Sequence, residues 1–410
     1  PKSSEHLLAA RLGADAGSLL GVEHLLHPAG ALAVGLLFDR RGARWCLLVC
    51  QLSAVVQHLL RLLSVSFVVM YVSKLPTFFC HTPLVLRALL LQAASSERRA
   101  HVLAHAGLAH YVGASAGRVL GGLLGAGGGT GAGALGALLG LLLALPLTSR
   151  GSLPNDVALE QVSHAEPVLL GKRASSGFCF KEKPGGTSPL PEPAVMPSSW
   201  PVAQEGLVQL LARPMVLQLV LLRLCALTGQ HIKNVTFGVS VQREFSVLIP
   251  YEDVMSIGGR MSDIAGMAFL VGPCIYRCTP RTFICICLAW KAAIGLSVAI
   301  DFSELNPVRR LIPVGAWLGL IFLERMWSIA LQTVLTWLLV SAVARGRRGA
   351  ALGVDGFLAL LPYMGSLSLA RWLYGHGGAV GIFTASAALN IFSLLVARLA
   401  VLPRYREKAG

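Results

Sequence analysis

The chain has 410 residues, of which 54% are hydrophobic and only 13% charged, and its formal net charge is +15. A soluble protein of this length carries about 25% charged residues, so the composition excludes an ordinary soluble globular fold. The excess of Lys and Arg falls between apolar segments, where topology signals belong, and no aromatic-plus-basic stripe accompanies it, which sets nucleic acid aside as a partner.

The first apolar, helical segment covers about 16–38 and runs into the charged stretch Asp39-Arg40-Arg41-Gly42-Ala43-Arg44. Apolar stretches follow at about 45–62, 66–90, 103–124 and 131–147. A helix needs roughly 20 apolar residues to cross a bilayer, and these come close to or exceed it. From Thr148 to about Gln204 the sequence turns polar and rich in Pro and Gly, with Lys181-Glu182-Lys183-Pro184 and Pro189-Leu190-Pro191-Glu192-Pro193. Such a composition buries too little apolar surface to fold alone and reads as a flexible linker. Apolar segments resume at about 215–241, 253–275, 282–300, 311–341, 350–374 and 379–402. The expectation is an all-α membrane protein of eleven spans: a helical bundle over 1–147, a linker over 148–205 and a second bundle over 206–410.

Charge places these segments. Arg40/Arg41/Arg44, Arg98/Arg99, Lys172/Arg173/Lys181/Lys183, Arg277/Arg281, Arg345/Arg347/Arg348 and the tail Arg404, Arg406 and Lys408 all fall on one side. The positive-inside rule puts that side, with the linker and the C-terminus, in the cytoplasm. Five spans before the linker then leave Pro1 outside, which reads as a six-plus-six protein missing its first helix; a chain of eleven spans is the alternative.

The turn after the first segment carries the most specific pattern, Gly35-x-x-x-Asp39-Arg40-x-Gly42-x-Arg44. Gly35 lets another helix approach closely. Asp39, at a helix end, can pair with an Arg and cap a neighbouring helix N-terminus. Gly42 permits a tight turn, and Arg44 adds a forked donor. The plainer reading is a topogenic basic loop.

With these residues the sequence resembles the major facilitator superfamily, whose loop between helices 2 and 3 has this pattern. Lys74 stands where the family often has an Arg in helix 4, and Ser96-Glu97-Arg98-Arg99 resembles the loop after it. Gly113-x-x-x-Gly117-Arg118-x-x-Gly121-Gly122 is similar to the helix 5 motif of drug/proton antiporters. His81-Thr82, Arg87-Ala88-Leu89-Leu90, the run from Asn234 to Val247 and Leu270-Val271-Gly272-Pro273 look closest to the tetracycline-resistance-like and organic-cation-transporter-like members. Departures accompany the match: Arg118 replaces the expected Pro, Phe78 stands where a Gly is expected, and only an echo of the loop motif survives near Gly272 and Arg277. The resemblance implies two six-helix bundles rocking about a midplane site, with Gly35, Asp39, Arg40, Gly42 and Arg44 as a conformational latch.

Charges inside a bilayer cost about 2.5–3.5 kcal/mol each on the insertion scale and default to functional candidates. Glu23 and His27 are four apart on one helical face, with His24 beside them; they suit proton coupling, or Glu23 pairs with a cation. Asp263 follows Arg260 by three residues, which suggests an intrahelical pair, and Glu324-Arg325 suggests mutual compensation. Lys74 and Arg223 are candidates for lining a central cavity, or for snorkelling to an interface; Lys291, Arg118 and Arg398 read as snorkelling. The run Gly125–Gly133 lacks the Lys-Ser/Thr of a phosphate loop and reads as a turn into a helix. The nine cysteines read as small thiols in helices without a metal site. No catalytic constellation can be assembled at one aqueous site. The expectation is a monomeric transporter rather than an enzyme, without cofactor, moving a small organic solute across the lipid bilayer, with protons as an optional coupling ion. A membrane sensor of the same fold is the alternative.

Overall fold

The structure is a computed structural model, and it describes residues 2–63, 66–94, 99–149, 207–245, 251–271, 278–302, 314–343 and 345–399. The linker expected over 148–205 lies almost wholly outside these residues, as do the basic residues Arg98, Arg277, Arg309, Arg310 and Arg404. The side chains of His24, Arg118, Arg243, Glu244 and 125–129 are likewise outside the description. The described residues are nearly all helix or turn, and none of them is strand. Among the described residues, five helices contain stretches long and apolar enough to cross a membrane, Leu25–Leu62, Pro214–Thr236, Pro280–Phe302, Gly315–Ser341 and Arg348–Leu399.

Helix α1 spans Lys2–Leu62 and is interrupted at Gly42, whose φ of 82° suits only glycine. The chain doubles back there. Cys46 Sγ lies 4.0 Å from the Val34 carbonyl oxygen, whereas twelve residues of straight helix would separate them by about 18 Å. A short helix α2 (Phe67–Val72), a 3-10 turn (Leu75–Phe79) and helix α3 (Thr82–Ala93) follow. The apolar stretch 66–90 is therefore not the single helix its hydropathy suggests. Pro76 and Pro83 each remove a backbone donor, and the interruption is stabilised locally. Gln57 donates to Thr77 Oγ1 at 2.7 Å and Ser73 donates to the Met70 carbonyl at 2.7 Å.

Helix α4 covers Arg99–Ser149. Leu103 and Ala144 share one apolar cluster, although a straight helix would hold them about 60 Å apart, so the chain reverses between them. The reversal falls in a stretch that includes the turn expected at Gly125–Gly133, and helical hydrogen bonding is kept through that run.

In the C-terminal part, α5 (Leu207–Ala212) leads into α6 (Pro214–Phe245). Helix α7 (Tyr251–Ala265) ends in a π-helical turn, Gly266–Val271. Helices α8 (Pro280–Phe302), α9 (Val314–Ser341) and α10 (Arg348–Leu399) complete the order, with a 3-10 turn Arg345–Arg347 before α10. Helix α10 breaks at Gly378, φ 56°, and again turns back: an added Cβ on Gly381 would lie 3.1 Å from the Leu373 carbonyl oxygen.

Two apolar clusters join the parts of the chain. One packs Val34, Phe38, Cys50, Ala88 and Leu91 against Val340, Val343, Ala351 and Leu352. The other packs Ala104 among α6, the π-helical turn, α8 and α9. The tightest crossing between the two parts is that of α1 and α10, where a Cβ on Gly35 would sit 2.3 Å from the Gly349 carbonyl oxygen and 2.9 Å from Gly353 Cα. Both obstacles are backbone, so nothing rotates away. Gly35→Ala is expected to push the two helices apart and lower the melting temperature by several degrees, whereas Gly365→Ala, which meets nothing within 4 Å, should leave it unchanged; a thermal-shift comparison of the two variants decides.

Candidate functional site

The Asp39 turn meets the start of α10. The first N–H groups of a helix have no intrahelical acceptor and carry the positive end of its dipole. Asp39 satisfies two of them, accepting from Gly349 N at 2.8 Å and Ala350 N at 2.7 Å. Of the two partners expected for it, an Arg and a neighbouring helix N-terminus, its hydrogen bonds go to the helix N-terminus, because the glycine crossing at Gly35 brings α10 within reach. Arg348 Nη1 donates at 2.9 Å to the Leu91 carbonyl oxygen, which adds α3 to the junction. Arg40 and Arg41 are exposed and Arg44 is half-buried. Gly42 supplies the turn itself.

In the C-terminal part, charges gather between α6, α8, α9 and α10. Arg223, only 6% exposed, forms a 2.9 Å ion pair with Asp355 and donates at 3.0 Å to Thr336 Oγ1. Thr336 donates in turn to Asp355 Oδ2 at 2.9 Å, closing a three-membered network. Arg223 neither snorkels nor faces open water. Lys233 pairs with Glu324, both buried. Lys291 is 1% exposed and donates to Ser328 Oγ at 2.9 Å, while Ser328 and Gln332 both donate to Gln230 Oε1, at 2.7 and 2.9 Å. The expectation that Lys291 snorkels is corrected: it lies about 16 Å along α8 from Pro280, near the middle of a core roughly 30 Å thick, too deep to reach either surface.

Asp263 is held by Arg325 of α9 in a forked pair, 3.0 Å from Nε and 2.9 Å from Nη2. Neither the Arg260–Asp263 pair nor Glu324–Arg325 compensation forms. Arg260 instead lies 6.0 Å from the Tyr111 ring centroid, a contact across the two parts of the chain. In the N-terminal part Lys74 pairs with Glu23, joining the interrupted span to α1, and His27 stacks on His81 with ring centroids 4.3 Å apart. Glu23 and His27 therefore keep to one helical face but take different partners. An added Cβ on Gly30 would lie 1.9 Å from the Phe78 carbonyl oxygen, so α1 presses directly on the 3-10 turn.

The structure thus brings Arg223 into a polar cluster with Lys291, Lys233 and Glu324, sets Asp263 beside it on the α7–α9 contact, and keeps Glu23, His27 and Lys74 apart from both. Asp355, Lys233, Gln230 and Ser328 went unnoticed in the sequence. Asp355 and Lys233 were findable, since each is a charge inside an apolar stretch; the neutral pair carries no such signal. Among the described residues no three His, Cys, Asp or Glu side chains converge as a metal site.

No family model and no curated sequence matches the chain. Solved structures do. The human organic anion transporter MFSD10 (TETRAN) superposes with a TM-score of 0.64 at 18% identity, over 93% of this chain and 83% of that one. The proton:xylose symporter XylE, of the major facilitator superfamily, gives 0.66 at 11% identity over 96% and 87%. A bacterial homologue of the iron transporter ferroportin, in an outward-facing state, gives 0.60 at 15% over 93% and 88%. This chain has the major facilitator fold. With its apolar helices, that makes it an integral, multi-pass membrane protein. Within the major facilitator fold, the Asp39 clasp ties the N-terminal helices to the C-terminal ones at one end of the molecule.

Proposed function

We propose that this chain is a secondary transporter that carries a small organic anion by alternating access. In this reading residues 1–147 and 206–410 are two bundles, joined by a cytoplasmic linker over 148–205. The observation that carries it is the uneven contact between them. Asp39 with Gly349 and Ala350, and Arg348 with Leu91, lie at the Asp39 end, and Tyr111 meets Arg260 about 18 Å along α4. Farther along α4, an added Cβ on Gly113, Gly117 or Gly121 meets nothing within 4 Å. Helices built to pack face open space there, as a carrier clasped on one side and open on the other would have them. The clasp is the latch of the cycle, and opening it exposes the other side.

The choice of an anion rests on charge. The buried C-terminal cluster has three cations, Arg223, Lys233 and Lys291, against two carboxylates, Asp355 and Glu324. A surplus cation at this depth favours a negatively charged occupant. The organic anion named for MFSD10 agrees. Proton coupling through Glu23 or Asp263 would require their ion pairs to open during the cycle.

The test is uptake into liposomes reconstituted with the purified chain, using labelled organic anions, organic cations and sugars, each with and without a pH gradient. Saturable anion uptake that a pH gradient accelerates, and that Glu23→Gln or Asp263→Asn uncouples, establishes a proton-coupled carrier. Anion uptake indifferent to pH leaves a facilitator. Folded protein that moves nothing in the panel refutes transport and leaves a sensor of this fold.

A further inference from the structure

A cavity of about 900 Å³ opens beside the Asp39 turn, and among the described residues its lining comes from 39–45, 82–93 and 106–110. Its described lining is thus N-terminal, while Arg87 also lies within electrostatic reach of Arg223 and Asp355 in the C-terminal cluster. Its charge is one-sided: four arginines face one carboxylate, Asp39, and both oxygens of that carboxylate are already taken by Gly349 and Ala350. Arg40, Arg41 and Arg87 make no hydrogen bond or ion pair with a described residue. Arg87 is only half-exposed, on a helix at membrane depth where charge is costly, and it acts on Asp355 of α10 through space without a direct ion pair.

The rest of the cavity is apolar and elongated. Along α3 the stripe Pro83, Leu86, Arg87 and Leu90 faces it, a trough of about 10 Å at helical rise. Leu86 and Leu90 are 44% and 41% exposed there, and Trp45, at the mouth beside the arginine turn, is 62% exposed. An exposed Trp next to arginines marks headgroup level. A charged mouth continuing into an apolar trough matches one kind of molecule: a phosphate carried on an acyl chain.

We infer that this cavity binds an anionic phospholipid from the leaflet on the Asp39 side, its phosphate held by Arg87 with Arg40 and Arg41 and a chain lying on Leu86 and Leu90. Guanidinium groups pair with phosphate through forked hydrogen bonds, and basic pockets between membrane helices suit such headgroups. The inference does not depend on transport.

Native mass spectrometry of the purified full chain, titrated with phosphatidylglycerol or phosphatidylcholine, tests it. Phosphatidylglycerol should be retained at least tenfold more tightly, and Arg87→Gln should remove most of that difference. Leu90→Trp, which fills the trough and leaves every arginine in place, should do the same and stands in should Arg87→Gln fail to fold. Arg371→Gln, on exposed α10 surface, serves as the control and should change nothing. Equal retention of the two lipids, or a phosphatidylglycerol preference untouched by both cavity variants, overturns the site. Displacement of the lipid by millimolar inorganic phosphate or by an acidic peptide overturns the lipid assignment in favour of a soluble anion or a protein partner.

Discussion

Asp39→Ala should shift the carrier out of its clasped state and cut transport by an order of magnitude or more. The carboxylate accepts two backbone hydrogen bonds from a helix terminus, and bonds to a charged group contribute roughly 1.5–3 kcal/mol each. Losing both, with water replacing part of the loss, costs the clasped state about 3 kcal/mol, or roughly a 100-fold change in the ratio of states. Spin labels at Arg41 and Arg347, on either side of the junction, would report it. One narrow distance distribution in the parent should become broad or bimodal in the variant, with helix content unchanged. Asp39→Asn, which keeps an uncharged acceptor, should fall between. A distribution that stays narrow in Asp39→Ala would show that the glycine crossing alone holds the two parts together.

The second large effect belongs to the buried cluster. Glu324→Gln removes the partner of Lys233 and leaves three cations against Asp355 alone. Breaking a buried pair by deleting one member costs about 3–5 kcal/mol, since the remaining charge is stranded, whereas replacing both by apolar residues is often nearly neutral. Glu324→Gln should therefore drop the melting temperature and the yield of monodisperse protein sharply, and Lys233→Met with Glu324→Met should recover most of both. Uptake separates the roles: if the pair serves the transport cycle, the recovered double variant stays inactive. Full uptake in the double variant would make the pair purely structural.

The all-α membrane fold and the clasp turn were the legible parts of this sequence. A bilayer imposes a minimum apolar length that hydropathy records directly, and the spacing of Gly35, Asp39 and Gly42 reflects a turn and a close crossing that few other residues permit. The partners of the buried charges were not legible. Asp263 has Arg260 three residues away in sequence, yet it binds Arg325, because the choice is made by how α7 and α9 are rotated toward each other. Glu324 takes Lys233 over its sequence neighbour Arg325 for the same reason: adjacent residues on a helix point in different directions. The interruption at 73–81 was announced by Pro76 and Pro83, but an apolar run looks continuous to any hydropathy reading. Similarly, the basic cavity combines a turn with stripes on two helices, and no window of sequence contains all three.

The crossing at Gly35 and Gly353 has a mechanical side. It is the tightest contact between the two parts, and it lies one helical turn, about 6 Å, from Asp39 and about 18 Å from Glu23 along the same arm of α1. Such a point acts as a fulcrum with a short arm and a long one. A separation of about 3 Å at the carboxylate, enough to break both hydrogen bonds, swings the Glu23 end by about 9 Å in the opposite sense. A small displacement on one side of the membrane is thereby geared into a large one on the other.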